Sequence, residues 1–153
     1  VPGIVLRTTV MTGFPGEGKP EFEELCEFVR EMRFERLGCF AFSPEEGTPA
    51  CTMEGQVSDR VKNRRRDIVM ETQSRIAGQY NEAQVGKTLT VLAEGIDRIA
   101  GCWFGRSEAD APDIDGKVFF TVPEGGKKPR PGDFVRVRVD ETLDWDLMGE
   151  CVD

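Results

Sequence analysis

The stretch FVRVRVDETLDWDL, residues 134–147, alternates apolar and charged side chains. Val135, Val137 and Val139 are separated by Arg136 and Arg138, and Leu143, Trp145 and Leu147 by Asp144 and Asp146. A period of two puts one set of side chains in a core and the other in water. The pattern predicts strands over 133–140 and 143–152, with Trp145 in the core on the face of Leu143 and Leu147. Reading back, the same texture predicts strands over 87–94, 99–106 and 117–122. Five short strands after Gly86 point to a small closed barrel of the oligonucleotide-binding type.

Ahead of Gly86 the texture is β-α-β-α. IVLRTTVMTG, residues 4–13, is rich in β-branched residues and lacks strict alternation, which predicts a strand buried on both faces. Pro20 suits a first helical position, and Glu21, Glu23 and Glu24 favour the positive start of a helix. Phe22, Leu25, Val29 and Met32 fall on one face of that helix. RLGCFAF, residues 36–42, predicts a second buried strand, followed by the two-proline loop 43–49. Ser58 is placed to cap a long helix over 59–82 whose buried stripe reads Val61, Ile68, Thr72 and Ile76. Arg64, Arg65 and Arg66 then project elsewhere, as a solvated face. The boundary falls near 83–86, dividing the chain into an α/β segment, 1–83, and an all-β segment, 84–153.

Composition excludes several functions. The 153 residues carry a net charge of −8 with no histidine, so the commonest general base and the commonest metal ligand are both missing. Cys26, Cys39, Cys51, Cys102 and Cys151 show no metal-site or redox spacing. An odd number of free thiols fits a reducing, cytoplasmic setting. No run of 18 apolar residues spans a membrane and no signal peptide is visible. The chain does not begin with Met and starts almost directly on a strand, which suggests a piece of a longer protein.

Gly13-Phe-Pro-Gly-Glu-Gly18-Lys19 spells all but the last letter of a nucleotide phosphate loop. The missing hydroxyl residue is Pro20, Pro15 and Pro20 remove N–H donors, and Glu17 puts negative charge where phosphate would sit. The stretch reads instead as a tight strand-to-helix turn, and no nucleotide is expected there. Residues 84–153 hold nine Lys/Arg against fourteen Asp/Glu, a net of −5. Such a barrel is a poor platform for RNA and a plausible one for a basic protein segment. Carboxylates concentrate in EADAPDID, 108–115, and DETLDWD, 140–146.

LRTTVMTGFPGE, FERLGCFAFSPEEGTPA, GRSEADAPDIDG, PGDFVRVRV and DWDLMGE, in that order, resemble the radical S-adenosylmethionine methylthiotransferases, and among them the RimO family. That family modifies an aspartate of small-subunit ribosomal protein twelve. The resemblance covers the whole chain and implies its C-terminal part: the last two strand–helix units of a partial TIM-like radical barrel, 1–83, then a five-stranded TRAM domain, 84–153. It implies S-adenosylmethionine contacts at Arg7, Thr9, Gly13, Phe14, Phe42 and Ser43. It implies a basic ribosomal protein as docking partner, and we expect Asp110, Asp113, Asp115, Asp144 and Asp146 to meet it. The whole enzyme would need two 4Fe–4S clusters. Their C-x-x-x-C-x-x-C loop and the further N-terminal cysteines are absent here, so this chain alone is expected to be inactive. The sister family, which modifies a tRNA adenosine and uses its TRAM domain on RNA, is the alternative; the acidic barrel favours the protein substrate. Two barrel strands without their neighbours leave an open edge, so self-association through residues 1–50 is also expected.

Overall fold

The structure is a computed structural model that describes Val1 and residues 3–152. Its elements run β1 (Arg7–Thr12), α1 (Lys19–Met32), β2 (Arg36–Ala41), α2 (Pro49–Thr52), α3 (Asp59–Glu82), β3 (Thr88–Asp97), β4 (Cys102–Arg106), β5 (Val118–Thr121), β6 (Phe134–Leu143) and β7 (Asp146–Cys151). They form two compact units, Val1–Ala77 and Gly78–Asp153, so the division falls inside α3. Among the described residues no helix is long and apolar enough to cross a membrane.

In the first unit β1 and β2 pair in parallel, from Arg7 opposite Arg36 to Thr12 opposite Ala41. Helix α1 starts at Lys19, one residue ahead of the expected proline. Its first turn is closed by the Glu21 carboxylate, which accepts the Gly18 N–H at 2.9 Å. One face of the β pair is buried: Val10, Leu37 and Cys39 pack with Phe22, Leu25, Cys26 and Val29 of α1, Val69 and Ile76 of α3, and Phe34. The other face is open, with Met11 51% and Phe40 62% exposed. The strands are therefore not buried on both faces, because helices cover one side only.

The helix stripes also depart from hydropathy. In α1, Cys26 is buried while Met32 is exposed. In α3, Lys62, Val69, Gln73, Ile76 and Ala77 are buried, whereas Ile68 is exposed. Two polar residues sit in that stripe because their long stems pack while a donor at each end finds a partner, although Gln73 Oε1 stays buried without one. Lys62 Nζ meets Asp59 at 2.9 Å, and Gln73 Nε2 donates to the Phe34 carbonyl at 2.9 Å.

The second unit is a closed barrel in the order β3-β4-β5-β7-β6, with β6 pairing back to β3. Only β5 and β7 are parallel among these pairs. Val91, Ala93, Val118, Phe120, Val135, Val137, Val139, Leu147 and Cys151 fill it, with Leu89, Trp103 and Val122 packed against them. The alternation of 134–139 holds, but its continuation fails. The β6–β7 register slips between Val139 and Glu141, so the bulge at Asp140 changes the phase of every later side chain. Leu143 and Trp145 are consequently about half exposed, and Asp144 and Trp145 form the turn into β7 instead of continuing a strand. Trp145 is not a core residue. Similarly, 99–101 is turn, and β3 extends to Asp97.

Candidate functional site

In parallel α/β sheets ligands gather at the carboxyl ends of the strands. Here that end is built by the turn after β1 and by the residues after β2. Gly13 adopts φ +75° and is buried; a Cβ there would lie 2.1 Å from Lys62 Cβ. The turn is tight because α3 starts against it. The Thr12 hydroxyl donates to the Lys62 carbonyl at 3.0 Å, and Gly16 N–H donates to the Gly55 carbonyl at 2.9 Å. Phe14, 43% exposed, meets Phe42 edge-to-face with ring centroids 5.2 Å apart. Ser43 follows, exposed. Gly13, Phe14, Phe42 and Ser43 thus share one place.

Arg7 and Thr9 lie on the open face of β1, with Met11. A strand rises about 3.3 Å per residue, so Arg7 stands roughly 20 Å from Gly13, at the opposite end of β1. The cation nearest the aromatic pair is instead Lys62, whose Nζ lies 5.6 Å from the Phe42 ring centroid. Beside it Arg65 Nη1 donates to the Glu17 carboxylate at 2.6 Å and to the Glu17 carbonyl at 2.9 Å, with both side chains nearly buried. Its guanidinium also covers the Phe22 ring at 5.2 Å. Arg65 is therefore not part of a solvated face. Lys62, Arg65 and Glu17 were missed by sequence reasoning because their partners are far along the chain. The usable signal was Glu17 in a turn facing a helix that carries three arginines.

The cysteines do not form a site. Among the described residues no group of three or more His, Cys, Asp or Glu could hold a metal ion. Burial pushes the Cys39 thiol up to about 11 and raises Cys26 and Cys102. These thiols stay protonated at neutral pH, the wrong state for iron ligation or nucleophilic attack.

In the barrel the two acidic segments meet. The Asp146 carboxylate accepts the Lys117 N–H at 2.7 Å, and Leu147 N–H donates to the Lys117 carbonyl at 2.9 Å. Gly116 lies so close that a Cβ would fall 1.9 Å from the Trp145 carbonyl oxygen. Asn81, from the last turn of α3, donates to that same carbonyl at 3.1 Å. Asp110 accepts from the Ser107 hydroxyl at 2.6 Å and Asp115 from the Ala111 N–H at 2.6 Å. Asp113 and Asp144 stand exposed at left-handed turn positions, φ +60° and +51°. All five aspartates therefore lie at one end of the barrel. Three of them also brace its turns.

Residues 85–152 match the model of the TRAM domain. Over nearly its whole length the chain is similar to proteins named ribosomal protein uS12 methylthiotransferase RimO. Identity is 48% to that of Pelotomaculum thermopropionicum, covering 99% of this chain and 34% of that protein. It is 46% to that of Caldanaerobacter subterraneus subsp. tengcongensis, covering 98% and 33%, and 41% to that of Citrifermentans bemidjiense, covering 100% and 34%. The chain is similar to the C-terminal third of those proteins. It spans about one third of the length of the curated relatives it matches. The iron–sulfur clusters implied for whole RimO do not fit the dispersed thiols of this segment.

Proposed function

We propose that this chain is the substrate-facing end of a radical S-adenosylmethionine methylthiotransferase that modifies an aspartate of a small-subunit ribosomal protein. The observation that carries the reading is the match over 98–100% of the chain to proteins named for that activity. Residues 1–83 supply the last strand–helix units of the radical barrel, and 84–153 dock the protein substrate. The parallel β1-α1-β2 arrangement with one bare sheet face supports the first assignment: that face would be the inside of a barrel completed by the rest of the enzyme.

S-adenosylmethionine fits the carboxyl-end cluster, where Gly13 brings backbone close and the Phe14–Phe42 pair offers an aromatic wall. Bound there in the whole enzyme, it would supply the radical and methyl chemistry. Gly13, Phe14, Phe42 and Ser43 would hold the molecule, with Thr9 and then Arg7 farther back on the same open face. Lys62 Nζ stands 5.6 Å from the Phe42 ring centroid behind this wall. The relatives' names favour the ribosomal protein over the tRNA adenosine as substrate.

Equilibrium binding of S-adenosylmethionine to the full-length enzyme tests the wall. Phe14→Ala removes one aromatic contact of about 0.5–1.5 kcal/mol and is expected to weaken binding roughly two- to tenfold. Arg7→Ala is expected to weaken it as well. Unchanged affinity in either variant removes that residue from the wall.

A further inference from the structure

Phe14, Pro15, Gly16 and Glu17 form a turn closed by the Glu17 N–H, which donates to the Phe14 carbonyl at 2.9 Å. Pro15 in second place and Gly16 in third, at φ +87°, are what a type II turn requires. Phe14 is the first corner of the turn, and its half-exposed ring rests edge-on against Phe42. Glu17 is the last corner. One nitrogen of Arg65, Nη1, donates both to the Glu17 carboxylate at 2.6 Å and to the Glu17 carbonyl at 2.9 Å. Side chain and main chain of that corner are thereby held from α3 at once.

The clamp is itself fixed. The Arg65 guanidinium covers the Phe22 ring of α1 at 5.2 Å, and the two charged side chains are only 13% and 11% exposed. The neighbouring corner is pinned by the Gly16 N–H, which donates to the Gly55 carbonyl at 2.9 Å. A buried ion pair adds little net stability, because removing both charges from water costs about as much as their attraction returns. What it does supply is geometry. A planar guanidinium engaged by two oxygens of one residue tolerates little displacement of either.

We propose that Arg65, acting through Glu17, is a positioning residue for the cofactor: it holds the turn so that the Phe14 ring stands where the ligand binds. The inference rests on the proposed function for the identity of that ligand, S-adenosylmethionine. Arg65 itself need not touch it. The backbone of Phe14 is set by the two ends of its turn. Gly13 is fixed by its close packing against Lys62, and Glu17 by Arg65. Without Arg65 the far corner loses its hold on α3, and the Phe14 ring is free to leave Phe42. The ligand must then order that ring on binding, which lowers its affinity. A protein substrate docked on the barrel makes no use of the ring.

A double-mutant cycle in the full-length enzyme tests this, read as S-adenosylmethionine affinity and as the KM for the ribosomal protein. Arg65→Met is expected to weaken S-adenosylmethionine binding about as much as Phe14→Ala does, roughly two- to tenfold. The KM for the ribosomal protein should stay within about twofold. In the Phe14→Ala background, Arg65→Met should add less than about twofold, because both changes act through one ring. Arg65→Lys keeps the charge but not the fork, and should fall between wild type and Arg65→Met. It carries the same cycle if Arg65→Met folds poorly. Equal losses with and without Phe14 overturn the proposal, as does a parallel rise in the KM for the ribosomal protein, the mark of general loosening. If Phe14→Ala weakens binding and neither Arg65 variant does, the inference fails and the aromatic wall stands. If Phe14→Ala has no effect, the wall fails and the inference with it.

Discussion

Gly149→Ala is expected to destabilise the barrel by about 3 kcal/mol or more. Strands β3 and β6 are both ten residues long, and each slips register once, β3 between Ala93 and Gly95 and β6 between Val139 and Glu141. Each bulged strand bends sharply across its neighbour, and each neighbour places a glycine there. A Cβ on Gly149 would fall 2.0 Å from the Arg138 carbonyl oxygen, and one on Gly105 2.1 Å from that of Leu92. These obstacles are backbone, with no side chain free to move aside. Relief requires the β6–β7 ladder to open where the barrel turns its corner. Both tryptophans, Trp103 and Trp145, lie in this unit, so their fluorescence reports its thermal transition. The midpoint should fall by more than about 10 °C. A shift of only a few degrees would mean that the close approach at β6–β7 is not what closes the barrel.

Gly13→Ala should be comparably severe in the first unit, for a different reason. An alanine at φ +75° carries a backbone cost of about 1–2 kcal/mol. Its Cβ would also fall 2.1 Å from Lys62 Cβ and 3.2 Å from Lys62 Cα. The start of α3 would have to lift from the turn, breaking the Thr12–Lys62 hydrogen bond and straining the Arg65–Glu17 pair. The combined loss is expected to reach about 3 kcal/mol. Helix-sensitive circular dichroism against urea should show the early part of the transition moving to lower denaturant. A midpoint within error of the wild type would contradict the tight packing of the turn against α3.

Local pattern carried much of this architecture. Helix 59–82 was legible end to end because Ser58 and the texture change after Glu82 are both short-range signals. The number and order of the barrel strands followed from alternation and turn residues. What failed was phase: one extra residue at Asp140 is invisible in composition yet moved Leu143 and Trp145 out of the core. The stripe of α3 misled because Lys62 and Gln73 are buried through partners that hydropathy does not register. At the candidate site, glycines and aromatics next to strand ends could be picked out. The cations that support them come from a helix some 50 residues later, and only the fold brings them in.

The central claim is that this chain is built to meet a basic ribosomal protein. It is tested most directly by titrating the chain with purified ribosomal protein uS12 and, separately, with tRNA, at about 50 and 200 mM salt. The account predicts tighter binding of the protein than of tRNA. It also predicts that protein binding weakens as salt rises, because several exposed pairs of about 0.2–1 kcal/mol each act together. Asp113→Asn with Asp144→Asn should weaken protein binding without lowering the affinity for RNA. Tighter binding of tRNA than of uS12, or protein binding that ignores both salt and the aspartate substitutions, would contradict it.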